Sequence, residues 1–112
     1  MVSKTLVAAS AKPIVLALLL SGENYGYQIM KRVKLVTGGV LEWSEAMLYP
    51  VLHRLEADGF IRSKWKLSEE GRMRKYYFLT KAGAQELERE KTCWLNVHEA
   101  LTKFWTPAEN AD

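Results

Sequence analysis

Cysteine is nearly absent, with Cys93 alone among 112 residues. One thiol excludes an intrachain disulfide framework and a cysteine-rich zinc site, and it fits a reducing compartment. Long apolar runs are also missing. The longest, Ile14 to Leu20, falls far short of the ~20 residues a membrane span requires, and Lys12 and Pro13 precede it. The run imitates a secretory signal core, yet it reads on into Ser21-Gly22-Glu23-Asn24 without a small-residue cleavage site, so a cytoplasmic protein without membrane association is expected. The sequence has no nucleotide-binding glycine loop, nucleophile triad pattern or paired carboxylates. Glu69, Glu70, Glu86, Glu88 and Glu90 read as solvated turn or helix charges. Histidine is scarce as well, and Cys93 and His98 lie five apart on different helix faces, with only His53 elsewhere. No catalytic residue, metal or cofactor is expected, and an enzyme is excluded.

What is present describes one small domain. With 48% hydrophobic and 26% charged residues, the chain can bury roughly two thirds of its unfolded surface, enough for one modest core. A large binding cavity would need a second subunit. The net charge of +3 is unevenly placed. Between Phe60 and Gly83, seven cations (Arg62, Lys64, Lys66, Arg72, Arg74, Lys75, Lys81) face only Glu69 and Glu70, whereas residues 84 to 112 are net acidic. A local cationic block beside a neutral or acidic remainder is the electrostatic footprint of a phosphate-binding surface.

Changes of periodicity mark the elements. Ser10 is placed to cap a first helix that tolerates Pro13 in its first turn and ends at Ser21-Gly22. Asn24 is placed to cap a second, with Tyr25, Ile29, Val33 and Val36 on one face and Gly38-Gly39 as its stop. Ser44 caps a third, whose stripe is Met47 or Leu48, Val51, Leu52 and Leu55; Pro50 distorts it without ending it. Phe60 to Leu67 and Arg74 to Leu79 alternate as a hairpin about Ser68-Glu69-Glu70-Gly71. Of the adjacent Tyr76 and Tyr77, one packs on the core and the other faces outward; Trp65 is read as packing too. Thr80 caps a long last helix reaching about Phe104, before Pro107 and a polar tail.

This order gives a mainly α chain with a β-hairpin wing: a winged helix-turn-helix over residues 1–79 and a C-terminal dimerisation helix and tail over 80–112. The residues themselves carry a resemblance. Leu48-Tyr49-Pro50-Val51-Leu52-His53-Arg54-Leu55-Glu56-Ala57-Asp58-Gly59-Phe60-Ile61 follows a pattern LYPxLxRLExxGxI. Gly71-Arg72-Met73-Arg74-Lys75-Tyr76-Tyr77-Phe78-Leu79-Thr80-Lys81-Ala82-Gly83 follows a wing pattern, and Tyr25-Gly26-Tyr27-Gln28-Ile29 a second-helix pattern. Together they resemble the phenolic acid decarboxylase repressor family, PadR, in its short last-helix subgroup with multidrug-sensing members.

The resemblance implies a homodimeric transcriptional regulator, typically a repressor, that leaves operator DNA when it senses an effector. Ser44, Glu45, Met47 and Tyr49 would meet DNA from the recognition helix, and Lys64, Lys66, Arg72, Arg74 and Lys75 from the wing. Met47 stands where members often carry a threonine, Tyr25 where they carry histidine, and Phe78 at a commonly polar place. Glu45 repels phosphate but can accept from a cytosine amino group.

On the last helix, Leu87, Trp94 and Leu101 repeat at seven, with Val97, His98, Phe104 and Trp105 filling the stripe. Such a stripe requires a partner, and Leu87, Trp94, Leu101, Phe104 and Trp105 are read as dimerisation residues. By the resemblance, Trp94 with Val97 and His98 would hold a small aromatic or cationic effector. The competing reading is a winged-helix adaptor whose basic hairpin docks an acidic protein surface.

Overall fold

The computed structural model describes residues 2–106; Pro107 and the polar tail lie outside the described residues. Seven elements follow in the order α1 (Lys4–Leu20), β1 (Asn24–Tyr25), α2 (Gly26–Val36), α3 (Glu45–Ala57), β2 (Ile61–Leu67), β3 (Met73–Leu79) and α4 (Lys81–Phe104). The sheet order is β1-β3-β2, antiparallel throughout. This is the expected mainly helical winged fold with a long last helix.

Capping chemistry sets most boundaries. The Ser44 hydroxyl oxygen accepts from the Met47 amide at 3.2 Å, and that of Thr80 accepts from the Gly83 amide at 3.0 Å. Pro50 removes one helical donor, yet α3 runs through it to Ala57, because Leu48, Leu52 and Leu55 all anchor the helix in the core. Burying a leucine stabilises by roughly 1.5–3 kcal/mol, comparable with or above the roughly 3 kcal/mol cost of an interior proline once three act together.

Two helix starts differ from expectation. Ser10 does not cap α1; Ser3 does, accepting from Leu6 N at 3.2 Å, while the Ser10 hydroxyl donates to the Val7 carbonyl inside the helix. The good helix formers before Pro13 let α1 begin about two turns earlier, so the proline is interior. Asn24 does not cap α2 either. It belongs to β1, pairing with Tyr77 while Tyr25 pairs with Tyr76, and α2 starts at Gly26 without a side-chain cap. A two-residue strand carries no periodic signal.

The core joins α1 (Ala11, Val15, Leu16, Leu19), α2 (Ile29, Val33), α3, Ile61, Tyr77 and Trp43. Val36, expected on the buried face of α2, is exposed. Leu87 also belongs to this core at 1% exposure, which corrects its assignment to the dimerisation stripe: the protomer itself leaves no Leu87 surface to offer. The start of α4 is further tied to α1 by the ion pair of Lys12 with Glu86, whose carboxyl is held below the usual range by Lys12 and then by Arg89. Beyond Glu90 every residue of α4 is exposed, and the molecule spans 63 × 29 × 21 Å.

Candidate nucleic-acid interface

The outward face of α3 follows from its inward one. With Leu48, Leu52 and Leu55 buried, Glu45, Tyr49 and His53 share another face at spacings of four. The wing stands opposite, and between them lies an open cleft of about 560 Å³ lined from one side by Glu45, Tyr49 and His53 and from the other by Trp65, Arg72, Met73 and Lys75. Tyr27 of α2 completes its rim. His53, Tyr27 and Trp65 were not among the residues singled out by sequence for nucleic acid. For His53 the signal was available in the four-residue step from Tyr49.

Tyr49 is half-buried, and its phenol rests against Gly26, where an added Cβ would lie 2.5 Å from the hydroxyl. A glycine here lets α2 and α3 approach closely enough to hold that ring. Ser44 stands at the amino end of α3, its oxygen engaged in the cap. Met47 packs against the core instead of projecting outward.

The wing has two different faces, because cross-strand partners share a side and neighbours along a strand alternate. Trp65 pairs with Lys75 and Ser63 with Tyr77 on the cleft side; Lys64 pairs with Tyr76 and Lys66 with Arg74 on the other. Tyr77 is the tyrosine that enters the core, and burial raises its pKa. Tyr76 packs edge-on against Tyr25, with ring centroids 5.3 Å apart. Trp65 is 65% exposed, contrary to the packing role read from sequence: its ring lines the open cleft across from Glu45, Tyr49 and His53 instead of entering the core.

The five wing cations are therefore not one cluster. Lys75 and Arg72 line the cleft, and so does part of Arg74, whose guanidinium stacks on Tyr25 at 4.4 Å. Lys64 and Lys66 turn the other way and both pair with Glu23, which precedes β1; the Lys64 contact is 3.1 Å. Lys66, then Lys64, holds the Glu23 carboxyl below its ordinary range. Composition counted these lysines as part of one basic block, but alternation separates them.

On α4, Trp94, Val97, His98 and Leu101 share an uncovered face with Trp105, and Phe104 is 87% exposed near its end. Trp94 is the least exposed of these large apolar residues, at 37%.

Comparison with known proteins fits this geometry. The family model described as "Transcriptional regulator PadR-like family" matches residues 15–89, spanning α3 and the whole wing. The chain belongs to the PadR-like family of transcriptional regulators. This PadR-like chain is 32% identical over 90 residues to the negative transcriptional regulator PadR of Bacillus subtilis, covering 80% of this chain and 47% of that protein. It thus spans about half the length of that relative. A transcriptional regulator structure from Clostridium thermocellum matches with a TM-score of 0.86 and 28% identity, over 95% of this chain and all of that one. A PadR-like regulator structure from Bacillus cereus matches at 0.81 and 25%, over 93% and 99%. These relatives are transcriptional regulators, not enzymes. No described helix of this PadR-like chain is long and apolar enough to cross a membrane.

Proposed function

We propose that this PadR-like regulator acts in the cytoplasm as a homodimeric repressor that binds a pseudo-palindromic operator. The observation that carries the reading is the joint placement of the outward α3 face and the cationic Arg72–Lys75 edge on one cleft. A helix end enters a major groove, and the wing reaches the flanking backbone. Glu45 and Tyr49 are the proposed base-edge and phosphate groups of α3, with Ser44 at the amino end. The exposed α4 face, including Leu101, Phe104 and Trp105, pairs with the same face of a second copy. Dimerisation places two recognition helices about 34 Å apart, one turn of duplex.

An effector is proposed at the same interface. Trp94, with Val97 and His98 beside it, presents a flat aromatic surface and a polar edge to a small aromatic or cationic compound. Binding there lowers operator affinity only if the compound favours the dimer geometry that misaligns the half-sites.

Selection from a random duplex pool at near-physiological salt, with protein of verified oligomeric state, tests the reading. A palindrome with half-sites one turn apart is expected. Recovery of nothing above background would instead favour an adaptor that docks an acidic protein.

Two variants follow from the divided wing. Lys75→Ala should reduce the dependence of log affinity on log salt by about 0.9 per lost phosphate contact. Glu23→Gln should steepen that dependence by about 1 to 2, because it releases Lys64 and Lys66 to engage phosphate. Affinity titrations across a salt series read both; an unchanged slope in Glu23→Gln would mean the two lysines never reach the backbone.

A further inference from the structure

The far end of the wing carries apolar side chains where a merely solvated hairpin would carry polar ones. Leu67 and Met73 close the β2–β3 ladder directly opposite each other, and they are 64% and 59% exposed. Trp65, two residues inward along β2 and so on the same side, is exposed as well. A contiguous uncovered patch of this kind marks a contact surface. On its cleft side Arg72 and Lys75 flank it, and through Trp65 and Met73 it is continuous with the cleft below α3. Glu69 and Glu70 of the turn lie on the other side of Leu67, with Glu70 paired to Arg74 at 3.8 Å, so the cationic approach is from the cleft side. A polyanion that already engages α3 has the matching charge.

The end is also braced. Ser68 N donates to the Arg72 carbonyl at 2.7 Å, the Ser68 hydroxyl accepts from Arg72 N at 3.2 Å, and Gly71 N donates to the Ser68 carbonyl at 3.0 Å. Gly71 supplies the positive φ of 81° that this closure needs. The turn fixes the spacing of Leu67 and Met73, so the pair cannot fold away when pushed against a surface.

We infer that Leu67 and Met73 form an apolar wedge that enters the minor groove beside the α3 contact and bends the duplex. Leucine and methionine inserted from the minor groove partly unstack a base step and kink DNA by about 20–90°. Arg72 and Lys75 hold the phosphates on either side. Pyrimidine–purine steps unstack most easily, so the wedge adds sequence preference at a position where no side chain hydrogen-bonds a base. This inference rests on the DNA-binding reading above, and its test separates the two.

The probe is a 30-base-pair duplex of the selected sequence, end-labelled with a donor and acceptor dye, with 2-aminopurine at the pyrimidine–purine step flanking each half-site. Full-length protein should shorten the end-to-end distance and raise 2-aminopurine fluorescence several-fold. Leu67→Ser/Met73→Ser should keep its Tm, since both side chains lie outside the core, and bind about tenfold more weakly with both signals lost. The single variants should give intermediate bends and provide the reading if the pair binds too weakly. Tight binding of wild type to a straight duplex with silent 2-aminopurine would overturn the wedge and leave DNA binding standing. An unchanged bend in the double variant would overturn it too. Failure of wild type to bind any duplex would remove the reading beneath it.

Discussion

Gly83→Ala should lower Tm by about 12 °C or more, although a helix-propensity argument gives the opposite sign. In an open helix, glycine to alanine gains about 1 kcal/mol. Here an added Cβ would overlap the Phe60 carbonyl oxygen and lie 2.7 Å from Leu79 Cδ1. Neither neighbour can retreat cheaply. The Phe60 carbonyl accepts from Thr80 N at 3.1 Å, and the Thr80 hydroxyl donates to the Gly59 carbonyl at 2.7 Å. Opening that junction separates the start of α4 from the α3–β2 connection, at an overpacking cost of about 3 kcal/mol, and each kcal/mol is worth about 4–8 °C in a domain of this size. Thermal melts of Gly83→Ala beside Ala82→Gly, an exposed neighbour in the same turn, separate the two causes. If Gly83→Ala melts at or above wild type, the close approach at Phe60 does not exist in solution.

Leu101→Asp/Phe104→Asp should convert the proposed dimer to a monomer in sedimentation while leaving the helical circular dichroism of the winged domain in place. Both side chains lie more than a turn beyond the last core residue of α4, so their loss opens no cavity. Four carboxylates would instead be brought together across a two-fold axis, which is unfavourable in a drying interface. Operator affinity should fall by about 10²- to 10⁴-fold, because the second half-site is no longer delivered at high effective concentration. A variant that remains dimeric and binds within threefold of wild type would place the dimer contact elsewhere on the chain.

Elements whose boundaries depend on local chemistry were the legible ones. Ser44 and Thr80 each sit one residue before a helix and accept the third helical amide, as a cap should. The hairpin followed from alternation, and the buried member of the tyrosine pair proved to be Tyr77. What pattern could not give depends on contacts distant in sequence. Asn24 is a strand residue only because β3, some fifty positions later, pairs with it. Leu87 shares a heptad with Trp94 and Leu101, but heptad spacing does not say where α4 leaves the core. Charge counting likewise grouped Lys64 and Lys66 with Lys75, and only the register and Glu23 separate them. Ser10 failed as a cap because a better start existed at Ser3, and a hydroxyl inside a helix can donate to a preceding carbonyl.

The continuity of α4 has a mechanical consequence. Its first turns are fixed in the same core as the recognition helix through Leu87 and the Lys12–Glu86 pair, and no break intervenes before Phe104. In the proposed dimer the helix is therefore a rigid arm that pivots at its exposed end and carries the winged domain at the other. At 1.5 Å per residue its 24 residues extend about 36 Å, so a pivot of about 10° at the exposed end displaces the other by about 6 Å. That is the scale on which a recognition helix changes from seated in a groove to riding on its edge, and it needs no rearrangement inside either domain.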